Sequence, residues 1–161
     1  MLSEKMQDRL NEQIKWEFYS CYLYLSMAAQ FEAWGYRILA QWMKKHAEEE
    51  HMHAMKMFDY VNQAGGRVKL AAIDQPPAEW DSPEALVRSA LDHEREVTRR
   101  IHSLVAACEE EKDYATRSFL QWYVDEQVEE EAVFGELVLL TERAGPERLF
   151  LVEQRLLGQM Q

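Results

Sequence analysis

Seven polar or ionisable residues interrupt the apolar faces of four predicted helices, at positions where a packed helix normally carries leucine. They are Glu17, His46, Glu50, His53, Glu94, Gln127 and Glu130. Each lies on a stripe of apolar residues spaced alternately three and four apart, which is typical of a helix face buried against other helices. Moving a carboxylate out of water costs several kcal/mol, as an order of magnitude, unless a partner compensates it. Because these stripes carry four carboxylates and no Lys or Arg, they predict a bound metal cation.

Glu50 and His53 form an E-x-x-H motif on the second predicted helix. Residues three apart share a helix face, so this carboxylate and this imidazole can bind one ion. The motif alone occurs often by chance, but carboxylates on the facing stripes make the combination specific. The set follows the di-iron carboxylate pattern of four-helix bundles, except at Gln127 and Glu130 in the second half. Carboxylate and imidazole ligands suit iron, and zinc and manganese would also bind.

A buried polar network without metal is the alternative interpretation. We interpret His46, one turn before Glu50, as a hydrogen-bonded core residue, because a single buried histidine is most often that. Tyr24, two turns after Glu17, is either a core aromatic or a functional residue that hydrogen-bonds a ligand or donates an electron. The neighbouring acidic residues Glu49, Glu126 and Glu129 are candidates for a second acidic cluster beside the first.

The four stripes predict four long helices, and no segment has the alternation of a strand. The helices are expected over about 3–34, 36–64, 83–111 and 114–143, with a short apolar fifth helix within 146–158. The connection from Arg67 to Ser82 contains Pro76-Pro77 and, fully extended, reaches roughly 50 Å. A helix of about 28 residues is roughly 42 Å long, so the connection can cross the full length of the bundle. We therefore predict an all-α four-helix bundle, a single domain over 1–161, with a long crossover between helices 2 and 3.

An internal repeat supports this arrangement. Glu17 and Glu94, Glu50 and Gln127, and His53 and Glu130 are pairs separated by 77 residues. Gly35 and Lys112, the expected centres of the two helical hairpins, have the same separation. The chain is thus predicted to be a duplicated helical hairpin that brings two half-sites together at one height.

Composition limits the partners. The formal net charge is -11, which disfavours nucleic acid and anionic membranes and favours cations. Cys21 and Cys108 fall on inward stripes and form no disulfide framework, so we expect small core residues in a reducing compartment. Neither a signal peptide nor an apolar run long enough for a bilayer is apparent. A cytoplasmic location is the expectation.

Several segments of the sequence resemble the ferritins, of the prokaryotic non-haem type, over essentially the whole chain. The matching segments are Asn11-Glu12-Gln13, Glu17-Phe18-Tyr19-Ser20, His46-Ala47-Glu48-Glu49-Glu50 with His53, Asp92-His93-Glu94, and Phe119-Leu120-Gln121-Trp122-Tyr123 leading into Glu126-Gln127. The resemblance implies a homo-oligomeric hollow cage of roughly 24 subunits. It also implies a ferroxidase centre that oxidises Fe(II) with O2 or peroxide and passes Fe(III) to a stored mineral.

The resemblance assigns the site residues by position. Site A would be Glu17, Glu50 and His53. Site B would be Glu94 and Glu130, bridged by Glu50, with Gln127 nearby and Tyr24 beside the centre. A third iron site would use Glu49, Glu126, Glu129 and Glu130.

Departures from related families narrow the interpretation. Bacterioferritins carry a haem-ligating Met directly after the bridging Glu, where this chain has His51, so haem is not expected. Rubrerythrins and bacterioferritins have a second E-x-x-H motif, which is absent here because Glu130 takes the histidine position. Two alternatives remain open: a discrete di-iron oxidoreductase such as a peroxidase, and a passive metal-binding or structural bundle.

Overall fold

The computed structural model describes residues 2–160 and contains five α-helices and one short 3-10 turn, with no strand in that range. The elements are α1 (Glu4–Trp34), α2 (Arg37–Gln63), α3 (Pro83–Glu111), α4 (Tyr114–Ala144), the 3-10 turn Pro146–Arg148 and α5 (Leu149–Gln159). The predicted all-α bundle with a short terminal helix is confirmed. For the four long helices, predicted and observed ends differ by no more than one residue.

Local capping explains where the two hairpins begin and turn. The Ser3 hydroxyl accepts a hydrogen bond from the Met6 N–H at the start of α1, and Ser82 accepts one from Ala85 at the start of α3. Both hairpin turns use a left-handed residue, Gly35 at φ 86° and Lys112 at φ 57°. The 77-residue repeat therefore extends to the backbone conformation of the turns.

The start of α2 depends on the C-terminal helix. Its N-cap, Tyr36, makes no side-chain capping bond. The Glu153 carboxylate of α5 instead accepts hydrogen bonds from the backbone N–H groups of Ile38 and Leu39, at 2.8 and 3.2 Å. A negative group at a helix N-terminus also interacts favourably with the helix dipole. α5 is thereby tied to the bundle by a polar contact as well as by apolar packing.

The connection between α2 and α3 follows the surface of α1. Near the beginning of the loop, the Asn11 amide donates a hydrogen bond to the Arg67 carbonyl and accepts one from the Lys69 backbone N–H. Near the end of the loop, the Ser26 hydroxyl donates to the Pro77 carbonyl. The loop therefore passes about 22 Å along α1, given 1.5 Å per helical residue. This is the predicted crossover, and it places the start of α3 at the end of the bundle where α2 also starts.

The core consists of two apolar clusters separated by a polar layer. One cluster is built around Tyr24, Phe31, Met43 and Phe134, and the other around Leu10, Met57, Ile101 and Leu120. The polar residues predicted to be inward lie between them, at mid-height in the bundle. Cys108 is buried as expected, whereas Cys21 is only half-buried because its position lies at the edge of the inward face of α1.

The terminal helix α5 packs against its own subunit through Leu149, Val152 and Leu156, which join the first apolar cluster. Its other face leaves Phe150 and Leu151 exposed. Among residues 2–160, no helix combines the length and the apolar composition that crossing a bilayer requires.

Candidate metal centre

Six of the seven predicted inward polar side chains form one layer across the four long helices. All six are buried, with exposed fractions between 0 and 5 %: Glu17, Glu50, His53, Glu94, Gln127 and Glu130. The seventh, His46, lies one turn away along α2 and is 7 % exposed. The helical register thus brings residues that are far apart in sequence to one height.

The first half of the layer contains a ready ligand set. His53 Nδ1 lies 3.3 Å from Glu50 Oε2 and 3.9 Å from Glu17 Oε2. One ligand atom from each residue falls within 4.8 Å of the other two, so a single cation can contact all three. This is the residue set predicted for site A.

Two residues without an assigned role hold this set in place. The Gln13 amide donates to Glu17 Oε1 at 2.7 Å, and the Tyr123 hydroxyl donates to the backbone carbonyl of His53 at 2.6 Å. The i, i+4 spacing from Gln13 to Glu17 is a sequence signal that could have revealed the first contact. The second joins a side chain to a backbone atom on another helix, and no sequence pattern indicates it.

The second half of the layer is arranged differently. Both Glu94 carboxylate oxygens accept hydrogen bonds, Oε1 from the Tyr24 hydroxyl and Oε2 from the Gln127 amide at 3.0 Å. Gln127 also reaches the Glu94 carbonyl and Thr98. Glu94 is not part of any three-residue ligand cluster in the described chain. The residues predicted for site B are therefore in one layer but not in one preformed cluster.

Glu130 belongs to two further clusters. The first cluster contains Glu130, His53 and Glu126. In this cluster His53 Nε2 lies 3.8 Å from Glu126 Oε1. The other cluster contains Glu130, His46 and Glu49. Glu129, which the resemblance includes in a third iron site, is exposed and in neither cluster.

Unpaired buried atoms indicate that this layer fits cations. Within residues 2–160, Glu50 Oε2, Glu130 Oε2 and His46 Nδ1 are buried without a hydrogen-bond partner. Buried polar atoms in native proteins nearly always have partners. All three are potential metal ligands, so their arrangement fits a bound cation as the partner.

Burial and mutual repulsion raise the pKa values of the carboxyl groups. Burial, followed by the charges of Glu94 and Glu17, raises the pKa of Glu50 well above its usual value. Burial and the nearby Glu130 raise the pKa of Glu94 to about 8. Burial and Glu49 raise the pKa of Glu130 to about 7. The metal-free layer thus retains protons that an entering cation would displace.

His46 and His93 are neutral at physiological pH. Burial lowers the pKa of His46 to about 4, and it lowers the pKa of His93 to about 4 as well. His93 Nε2 is paired with the Ser20 hydroxyl at 2.7 Å. His46 Nδ1 has no hydrogen bond, so the expectation of a hydrogen-bonded core histidine is wrong at that atom. The carboxylates of Glu49 and Glu130 lie 3.3 and 3.5 Å from this atom but are not aligned to form a hydrogen bond with it.

Comparison with known proteins places the chain in a class. Residues 7–144 match the family described as Ferritin-like domain. The chain belongs to the ferritin family.

The most informative relatives agree in length and fold. A bacterial non-heme ferritin of Bacteroides fragilis is 42 % identical over 156 residues, covering 97 % of this chain and 98 % of the relative. A bacterial non-heme ferritin of Staphylococcus aureus is 35 % identical over 158 residues, covering 97 % and 95 %. An open pore ferritin from Archaeoglobus fulgidus superposes with a TM-score of 0.95 at 50 % identity, covering 96 % of each chain.

Proposed function

We propose that this protein stores and detoxifies iron by oxidising Fe(II) at the buried polar layer and collecting the Fe(III) product inside an oligomeric cage. The observation that carries the proposal is the ligand set Glu17, Glu50 and His53, buried and with Glu50 Oε2 unpaired. Membership of the ferritin family and the names of the relatives support iron as the metal.

The geometry supports an order of binding. The first Fe(II) binds between Glu17, Glu50 and His53, because these ligand atoms already converge. The second binds between Glu94 and Glu130, with Glu50 shared as the bridge. For that, the Glu94 carboxylate, whose oxygens already accept hydrogen bonds from Tyr24 and Gln127, must turn a remaining lone pair towards the cation. The second site therefore binds more weakly than the first.

The electron balance is simple. Two Fe(II) substrates each lose one electron, and O2 takes both electrons and two protons to become H2O2; peroxide itself is the alternative acceptor. Carboxyl groups with raised pKa values, such as Glu94, release protons locally when the cations bind. Tyr24, whose hydroxyl contacts Glu94, keeps that carboxylate oriented towards the layer.

Weak binding at the second site is consistent with iron as a substrate, because the oxidised Fe(III) must leave the site for storage. Gln127 is a neutral amide, a poorer ligand for a hard cation than a carboxylate, and Glu130 replaces the nitrogen donor present in the first half. A centre that holds one ion less tightly can pass Fe(III) on. A permanent di-iron cofactor, as in a discrete oxidoreductase, requires both ions to be retained.

Assembly into a homo-oligomer is supported by exposed apolar side chains. Tyr22, Met52, Leu70, Phe150 and Leu151 are between 47 and 68 % exposed in the single subunit. An oligomer would bury such side chains between its subunits. We propose the cage of roughly 24 subunits that the resemblance implies, and a cytoplasmic location.

Aerobic addition of Fe(II), followed by size separation and iron counting per particle, tests the proposal. We expect a large oligomer that retains many more iron atoms than the few its binding sites can hold. A small oligomer that oxidises Fe(II) but retains only its site-bound ions would favour the discrete oxidoreductase. Absence of oxidation would favour the passive bundle.

A further inference from the structure

Two buried hydrogen bonds support the ligand set Glu17, Glu50 and His53 from outside it. The Gln13 amide donates to Glu17 Oε1 at 2.7 Å, and the Tyr123 hydroxyl donates to the backbone carbonyl of His53 at 2.6 Å. Gln13 is 3 % exposed and Tyr123 is 2 % exposed, so water does not compete for either bond. Residues that are not themselves ligands therefore hold two of the three ligands.

Aromatic packing restricts the ring of His53 as well. Its centroid lies 5.2 Å from that of Trp122 and 6.3 Å from that of Tyr123, with both rings nearly perpendicular to it. In this orientation His53 Nδ1 lies 3.3 Å from Glu50 Oε2 and 3.9 Å from Glu17 Oε2. Tyr123 thus acts on His53 at two points, the backbone carbonyl and the imidazole ring.

The internal repeat shows which supports the second half lacks. The residue 77 positions after Gln13 is Ala90, which has no side-chain donor to offer Glu94. The residue 77 positions before Tyr123 is His46, whose Nδ1 has no hydrogen-bond partner in the described part of the chain. Neither position repeats the bond that its counterpart makes in the first half.

We infer that Gln13 and Tyr123 are positioning residues, and that they make the first site bind a divalent cation more tightly than the second. Gln13 engages one oxygen of Glu17 and leaves Oε2 directed at His53. Both oxygens of Glu94, by contrast, accept hydrogen bonds. A ligand that is already oriented loses less side-chain entropy when the cation binds. This role rests on the proposed function for the identity of the two sites.

Crystals of the whole protein grown with one Zn(II) per subunit, measured at the zinc absorption edge, test this role without any oxidation. In the wild type we expect the anomalous peak at the first site. In Gln13→Ala, which introduces the residue that the repeat carries at position 90, the ratio of first-site to second-site zinc should fall about tenfold. Tyr123→Phe removes only the hydroxyl and keeps the ring, and it should lower the same ratio by a similar factor. A zinc titration in solution should show a weaker first binding step and an unchanged second step in both variants.

Two matched controls should keep the wild-type ratio: Gln30→Ala, at a half-buried position on α1, and Tyr114→Phe, at an exposed position on α4. The two test variants lie on different helices, so a folding defect in one leaves the other as a test of the role. A wild-type zinc ratio in either folded test variant, even with a lower Tm, would overturn the positioning role of that residue, because a merely structural contact changes stability alone. A shifted ratio in a protein that does not oxidise Fe(II) would sustain the role and contradict the proposed function instead. Absence of zinc from the first site of the wild type would overturn both.

Discussion

At the scale of single residues, the two halves of the duplicated hairpin hold their metal-binding groups differently. Glu17, Glu50 and His53 converge with an unpaired oxygen among them, whereas both Glu94 oxygens already accept a hydrogen bond, from Tyr24 and from Gln127. The corresponding residues of the two halves are all separated by the same 77 residues in the sequence. The difference arises because an amide can donate to a carboxylate and an unprotonated carboxylate cannot.

Replacing Gln127 by Glu should make the Fe(II) affinities of the two proposed iron sites more similar. The variant puts a second carboxylate where the amide now lies 3.0 Å from Glu94, so the metal-free site becomes more repulsive and the metal-bound site stronger. Anaerobic Fe(II) titration should show one tighter and one looser site per subunit in the wild type. In Gln127→Glu the second site should bind Fe(II) more tightly, and transfer of iron to the stored mineral should slow.

Gln121→Glu is the matched control, since Gln121 is exposed on the same helix. It should leave both affinities unchanged. Two equal, tight sites in the wild type that keep their iron through repeated cycles would refute the storage account in favour of the oxidoreductase.

The metal-free protein should lose stability as the pH rises from 6.5 to 8. The fold raises the pKa of Glu94 from 4.5 to about 8 and that of Glu130 to about 7, so it favours their protonated forms. Stability from these groups is complete below 4.5 and is lost as the pH rises through the folded pKa values. His46 and His93 act oppositely, because their pKa values fall from 6.5 to about 4, but their effect is complete above 6.5.

Thermal unfolding of metal-free protein across this pH range measures the effect. Glu94→Gln should flatten the dependence, whereas Glu110→Gln, at an exposed position on the same helix, should not. A wild-type Tm that rises between pH 6.5 and 8 would show that the layer does not retain protons.

The sequence reveals which residues enter the polar layer but not how they pair. Interrupted apolar stripes predict Glu17, Glu50 and Glu94 as inward-facing because helical periodicity fixes direction. The pairing depends on the side-chain rotamers and on the orientation of the side-chain amide groups that donate hydrogen bonds. For that reason the unpaired Nδ1 of His46 and the support of His53 by Tyr123 appear only in three dimensions.

At the scale of the elements, local sequence signals determine where the long helices begin and end, whereas tertiary contacts determine the placement of α5. Ser3, Gly35 and Ser82 mark helix ends through capping chemistry that the sequence displays. The sequence predicts a short apolar fifth helix but does not indicate what this helix packs against. Its Leu149 face packs on its own core, and the Phe150 face remains available.

Glu153→Ala should destabilise the start of α2. The carboxylate satisfies the N–H groups of Ile38 and Leu39 where Tyr36 provides no side-chain cap. Loss of such a cap typically costs about 1 kcal/mol, which corresponds to a Tm lower by about 2–4 °C for a chain of this size. Gln154→Ala, on the exposed side of α5, is the comparison; equal Tm values for both variants would mean that the cap contributes nothing.

At the scale of the whole molecule, the exposed face of α5 should take part in assembly. Phe150→Ser changes a residue that is 53 % exposed and leaves the packing of Leu149, Val152 and Leu156 intact. We expect smaller particles by size-exclusion chromatography and unchanged helix content. Deletion of all residues after Gly145 should have a stronger effect. Wild-type cages in both variants would assign α5 to its own subunit alone.

The proposed function depends most directly on Glu50, the proposed bridge between two iron ions at the centre of the layer. The most direct test is stopped-flow oxidation of two Fe(II) per subunit by O2, comparing the wild type with Glu50→Ala and with Glu48→Ala, a neighbouring exposed carboxylate. We expect rapid oxidation in the wild type and in Glu48→Ala, and none of that rapid phase in a folded Glu50→Ala. The same variant should be at least as stable as the wild type without metal, because it removes a buried, repelling carboxylate. Wild-type oxidation rates in Glu50→Ala would contradict the assignment of this layer as the site of iron oxidation.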